Sequence, residues 1–104
     1  MKVGGRAVVL SLRPRFAEAI LNGSKTAELR RQRVGAPAGT RLILYSSSPV
    51  MAIVGTAFIA QVDMLTPARA WQRYSGQLAL SELEFDRYLE GTSNACIISL
   101  RNVQ

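Results

Sequence analysis

The chain has 104 residues, with 13 lysines and arginines against 7 acidic residues, no histidine and a net charge of +6. That length makes one domain, residues 1–104, and an apolar content of 48% is enough for a core without disulfides. The single cysteine, Cys96, excludes an internal disulfide, and the absence of histidine removes histidine-based triads and most zinc sites, so neither metal nor cofactor is expected.

Ala7–Leu12 is β-branched and apolar and predicts a buried first strand. It is too short for a secretion signal, and no apolar run reaches membrane-spanning length, so a cytoplasmic protein is expected. Pro14 suits the first turn of a helix, whose apolar face pairs Phe16 with Ile20 and Ala17 with Leu21. Gly23 fits the left-handed position that ends it. Thr26 to Arg33 reads as a strand with charged teeth, and Gly35–Gly39 as a loop. Arg41–Tyr45 is a strand, followed by the polar turn Ser46–Pro49. Val50 to Val62 is a long apolar strand, bulged or bent at Gly55. Thr66-Pro67 opens a helix carrying Trp71, expected in the core, and Tyr74; Ser75-Gly76-Gln77 breaks it. Ser81 and Glu84 form a capping box for a last helix, with Phe85, Tyr88 and Leu89 on its apolar face and Gly91 as its stop. Ala95–Arg101 is the final strand, with Cys96 an inert buried residue. The order β-α-β-β-β-α-α-β predicts an α+β domain, a half-open barrel with helices covering its ends.

Positive charge is concentrated. Arg13, Arg15, Lys25, Arg30, Arg31, Arg33 and Arg41 face only Glu18 and Glu28 over the same span, while the rest of the chain is nearly neutral. Such a patch raises the local potential for an anionic partner, and arginine suits phosphate. Within it lies Gly23-Ser24-Lys25-Thr26-Ala27-Glu28-Leu29-Arg30-Arg31. Strand alternation puts Glu28 and Arg30 on one face, and Lys25 in the preceding turn can close the cluster. Desolvation or a neighbouring Arg30 would lower the Lys25 pKa and make it a base or nucleophile. A Glu28 pair would instead keep it charged, as an anchor or as part of a network that fixes the turn. Tyr45 is either a base-stacking platform or a half-buried strand residue, and Ser46, Ser47 and Ser48 are either phosphate donors or a solvated turn. Arg31 and Arg33 are an outer rim or an ordinary solvated edge.

Four stretches, in register with this element order, resemble the ASCH family (activating-signal-cointegrator homology) of the PUA-like superfamily. They are Leu10-Ser11-Leu12-Arg13-Pro14; Gly23 to Arg30, which matches the pattern G-x-K-x-x-E-x-R; Leu44-Tyr45-Ser46-Ser47-Ser48-Pro49 with Val54-Gly55; and Phe85, Tyr88, Gly91, Ala95 and Ile97. The resemblance covers residues 7–101. It implies a PUA-like pseudo-barrel with short helices over its ends and a cleft lined by the signature residues and the loop after Tyr45. It also implies binding of RNA or nucleosides; some members look like ribonucleases. One branch hydrolyses N4-acetylcytidine with a lysine, a threonine and a glutamate. Lys25 matches that lysine, Glu28 stands at the threonine position, and Gly76-Gln77 offer no carboxylate.

The candidate ligand or RNA-binding residues are therefore Lys25, Glu28, Arg30, Arg13, Tyr45, Ser46, Ser47 and Ser48, with Lys25 and Glu28 also the candidate catalytic residues. Three functions stay open: an RNA- or nucleotide-binding module, a small hydrolase acting on RNA or modified nucleosides through Lys25, and a module that docks an acidic protein. No membrane partner is expected, and the oligomeric state is open.

Overall fold

Alternation along the first strand sorts its side chains: Leu10 and Leu12 are buried, Val9 and Ser11 exposed. In the computed structural model, which describes residues 6–104, this strand is β1 (Ala7–Leu12). It is followed by α1 (Pro14–Leu21), β2 (Ala27–Arg30), β3 (Arg41–Ser46), β4 (Ala52–Leu65) and α2 (Pro67–Tyr74). A 3-10 turn (Ser75–Gln77), α3 (Glu82–Tyr88) and β5 (Ala95–Arg101) complete the chain in the order expected from sequence. No described helix is long and apolar enough to cross a membrane.

The strands form one mixed sheet in the order β1-β3-β4-β5-β2. β1 runs parallel to β3, and every other pair is antiparallel. β1 and β2, separated in sequence only by α1, thus occupy opposite edges. The sheet curls until those edges approach, and the Arg30 guanidinium on β2 donates to the Ser11 carbonyl on β1 at 2.9 Å. No backbone ladder joins β1 to β2, so the barrel is a pseudo-barrel closed there by side chains.

Two apolar clusters fill it. In the first, Ala17 and Ile20 of α1 pack on Leu10, Leu12, Leu42, Leu44, Ala57, Ile59 and Ile98. In the second, Ala70 and Tyr74 of α2 and Phe85 of α3 pack on Ala27, Leu29, Ala95 and Ile97. Cys96 and Ile98 serve the first cluster and Ala95 and Ile97 the second, so β5 is buried on both faces, as its unbroken apolar run requires. Each such large side chain contributes about 1.5–3 kcal/mol on full burial.

β2 and β4 depart most from the sequence expectation. β2 stops at Arg30 rather than Arg33, because the chain bends there and the Arg31 guanidinium donates to the Tyr88 and Glu90 carbonyls at 2.8 and 2.9 Å. Arg31 thereby satisfies carbonyls at the end of α3 instead of forming an outer rim with Arg33. β4 begins at Ala52 rather than Val50, since the Val50 and Met51 N–H groups close a turn onto the Ser47 carbonyl, and it runs on to Leu65. The expected irregularity near Gly55 is present: Leu44 pairs with Gly55 but Tyr45 pairs with Ile53, leaving Val54 as the extra residue.

Candidate functional site

The end of α1 positions the first site residue. Gly23 takes φ +87°, and its N–H donates to the Ile20 carbonyl at 3.2 Å. The Lys25 N–H then returns to the Ala19 carbonyl at 3.0 Å, which turns its side chain into the protein. Lys25 is only 2% exposed, unusual for a lysine, and its ammonium is fully engaged. It donates to the Leu78 carbonyl at 2.7 Å, lies 3.2 Å from Glu28 Oε1 and sits 5.1 Å from the centre of the Phe16 ring. Burial holds its pKa below the ordinary lysine value, Glu28 opposes that shift, and Arg30 and Arg15 add to it.

Two residues along β2 from Glu28, on the same face, Arg30 brings its guanidinium to Glu28 Oε2 at 2.8 Å. The same nitrogen makes the bond to Ser11, whereas Arg30 Nε is buried without a partner among the described residues. Glu28 is thus gripped on one oxygen by Lys25 and on the other by Arg30.

This triad lines an open cavity of about 490 Å³ between β1, α1, β2 and α3. Ser11, Leu12 and Arg13 form one side, Arg15 and Phe16 belong to α1, and Leu80, Glu84, Arg87 and Tyr88 come from α3 and the segment before it. Across it Arg15 meets Glu84 bidentately, at 2.6 and 3.0 Å. Glu84 also accepts from the Ser81 N–H in the capping box. Arg15 foremost, with Ser81, holds the Glu84 carboxyl at a pKa of about 2. Both carboxylates lining the cavity are therefore taken up by cations. Arg13 and Arg87 line it with no ion-pair partner among the described residues, and Phe16 and Tyr88 provide aromatic surface.

Of the residues singled out from sequence, Arg13, Lys25, Glu28 and Arg30 share this cavity. Tyr45, Ser46, Ser47 and Ser48 do not line it. Ser46 is buried, the Ser47 N–H is spent on the Leu12 carbonyl at 2.8 Å, and Tyr45 is half-buried on β3 beside Ser11. Gly76 and Gln77 also lie outside it; the Gln77 carbonyl accepts from the Thr26 N–H at 3.0 Å. Trp71 is partly buried against Phe85, ring centres 5.0 Å apart, and Cys96 is buried. Sequence reasoning missed Arg15, Phe16, Arg87 and Tyr88 as cavity residues. Glu84, Arg87 and Tyr88 do share a helical face by their i, i+3, i+4 spacing, a signal that the capping role of Glu84 and the apolar role given to Tyr88 obscured. Among the described residues no group of three or more cysteine, aspartate or glutamate side chains gathers as a metal site.

Known proteins share this architecture. Residues 6–104 match a family model described as a domain of unknown function, DUF365. A curated protein of Zymomonas mobilis subsp. mobilis, named ASCH domain-containing ribonuclease, is 37% identical over 100 residues, which span 95% of this chain and 67% of the relative. The crystal structure of ASCH from Zymomonas mobilis superposes with a TM-score of 0.89 at 34% identity, covering 92% of this chain and 67% of that one. A hypothetical protein, PH0355, shares the fold at a TM-score of 0.68 and 11% identity, covering 92% of this chain and 98% of its own. The chain carries the DUF365 domain and belongs to the ASCH family.

Proposed function

We propose that this chain binds single-stranded RNA, with one nucleotide unit seated in the cavity between β1, α1, β2 and α3, and that it acts in the cytoplasm. The observation that carries this reading is the charge balance of the cavity. Five cations line it, Arg13, Arg15, Lys25, Arg30 and Arg87, against Glu28 and Glu84, and both carboxylates are already paired. Arg13 and Arg87 are the guanidiniums left to meet a phosphate, bidentately where the geometry allows. Phe16 and Tyr88 offer flat apolar surface to a base, and stacking of this kind contributes about 1–3 kcal/mol per base. Lys25, being buried, acts as a positioning residue: it fixes the Glu28 carboxylate, which presents acceptors to base or sugar donors.

A second reading, RNA cleavage, is favoured by the likeness to a relative named a ribonuclease. Here the RNA 2′-hydroxyl attacks the adjacent phosphorus, a base on the protein takes the hydroxyl proton, the bond from phosphorus to the 5′-oxygen breaks to leave a 2′,3′-cyclic phosphate, and the 5′-oxygen takes a proton from water. In this reading Glu28 takes that proton, held by Lys25 and Arg30, and Arg13 or Arg87 stabilises charge on the phosphate. Lys25 remains the key group, since without it Glu28 loses its orientation.

The test is fluorescence anisotropy of labelled single-stranded RNA across a salt series, with the same RNA run on a gel after incubation. Binding that weakens with salt, and weakens further in Arg13→Gln and Arg87→Gln, is expected. Absence of binding, or affinity indifferent to salt, overturns the reading. Cleavage products that disappear in Lys25→Ala and Glu28→Gln, while circular dichroism shows both variants folded, establish the second reading. Hydrolysis of N4-acetylcytidine, or nuclease-insensitive capture of an acidic protein in place of RNA binding, would point instead to the other functions.

A further inference from the structure

Across the sheet from the cavity, one row of cross-strand neighbours stands out. Phe58 on β4 pairs with Arg41 on β3 and with Arg101 on β5. Both guanidiniums lie over its ring, with the Arg41 Cζ 5.6 Å and the Arg101 Cζ 5.7 Å from the centroid. Both arginines are exposed and Phe58 is half-buried. Neither arginine has an ion-pair or side-chain hydrogen-bond partner among the described residues. Arg15, Arg30 and Arg73 differ in having carboxylate partners, and Arg31 in donating to backbone carbonyls.

Two cations gathered at one ring with no counter-charge form a focus of positive potential. The ring limits the freedom of both side chains, so less rotamer entropy is lost when they meet a ligand. Adjacent strands lie about 4.8 Å apart, so the two arginines stand on strands roughly 10 Å apart with the aromatic between them. That pattern, cations interleaved with an aromatic on an open sheet face, is how single-stranded nucleic acid is tracked. Arg41 is level with Ala7 and Tyr45 with the cavity residue Ser11, so Arg41, the near end of the row, stands one strand across and four residues along, about 13 Å in the strand direction, from Ser11.

We infer that the Arg41–Phe58–Arg101 row is a second RNA contact, which takes backbone phosphates of the strand that continues beyond the cavity. This rests on the cavity being an RNA site. It adds a length requirement: a lone nucleotide is held by the cavity alone, and a longer strand engages both.

The experiment uses two labelled probes, uridine monophosphate and a twelve-nucleotide oligouridine, against the full chain. Arg41→Gln/Arg101→Gln should leave affinity for the mononucleotide unchanged and weaken binding of the oligomer. With two phosphates no longer neutralised, the slope of log affinity against log salt for the oligomer should become shallower by about 1.4, since each phosphate neutralised on a single strand contributes about 0.7. Arg41→Lys/Arg101→Lys should retain the wild-type slope, which separates charge from any structural effect. Unchanged oligomer affinity and slope in the glutamine variant overturn the row while leaving the cavity reading intact. Failure of the wild-type chain to bind either probe overturns both.

Discussion

The Arg30 guanidinium on β2 and the Ser11 carbonyl on β1 meet at 2.9 Å, joining two strands that the sheet order places at opposite edges. The same nitrogen holds Glu28 at 2.8 Å, so the contact that closes the barrel also sets one wall of the cavity. One side chain therefore contributes to both fold closure and site geometry. Replacing it by methionine, which keeps much of the stem, removes both bonds. Hydrogen bonds to charged groups are worth about 1.5–3 kcal/mol. Partial exposure of Arg30 places the expected loss at the lower end of that range. Thermal or urea unfolding of Arg30→Met measures it, and unchanged stability would mean that the barrel edges are held by packing alone. Arg30→Lys should rescue poorly, because one ammonium cannot reproduce the planar fork.

The Lys25–Glu28 pair makes a sharper demand. The Lys25 side chain is almost wholly buried, so removing its counter-charge leaves an ammonium away from water. Breaking a buried pair by deleting one partner costs about 3–5 kcal/mol, whereas replacing both by apolar groups is often near neutral. Glu28→Leu should therefore be severely destabilised, and Lys25→Met/Glu28→Leu considerably less so than the sum of its parts. Denaturant unfolding of the four chains in a double-mutant cycle reads the coupling directly. Additive effects would show that the two charges do not stabilise one another.

How far the sequence foretold this arrangement varies with the range of the interactions involved. Local chemistry was legible: Gly23 ends α1, Thr66-Pro67 starts α2, and Ser81 with Glu84 caps α3. Strand alternation placed Glu28 and Arg30 on one face, and the spacing after Gly23 brought Lys25 to them. Partners distant in the chain were not legible. Arg31 leaves the strand for carbonyls 57 and 59 residues away, which shortened β2. Arg15 finds Glu84 across 69 residues, and no local pattern marks that pair. The Ser46–Ser48 turn failed to enter the cavity because its backbone is committed to extending the pairing of β1 with β3.

The Arg15–Glu84 bridge should respond to acid. Glu84 titrates at about 2, below its ordinary 4.5, so its ionised form is favoured in the folded chain. Its contribution to stability is present above the unfolded pKa and is lost as pH falls from about 4.5 toward about 2. Since the pair is solvent-exposed, the effect on global stability is small, and the group itself is the better reporter. Carbon-detected NMR titration should find the Glu84 carboxyl still ionised where free glutamate is half protonated. Arg15→Gln should return its midpoint most of the way to the ordinary range, because Arg15 is the largest cause of the shift. A midpoint unmoved by that substitution would assign the shift to the capping box.

Gly55 offers a test of how the end of the chain supports the sheet. A Cβ built at this position would lie 2.6 Å from the Gln104 carbonyl oxygen and 2.8 Å from Leu21 Cδ2. The Gln104 backbone is held there by two hydrogen bonds with Thr56, at 2.9 and 3.0 Å, so it cannot retreat without losing them. Gly55→Ala must displace that tail, and must also turn aside the end of the exposed Leu21 side chain. Overpacking of this kind costs about 1–3 kcal/mol. Deleting Val103 and Gln104 should itself destabilise the chain, and in that background Gly55→Ala should cost less, because only the Leu21 clash remains. Denaturant unfolding of the four chains gives the difference. An equal cost in both backgrounds would place the whole strain at Leu21 and none at the tail.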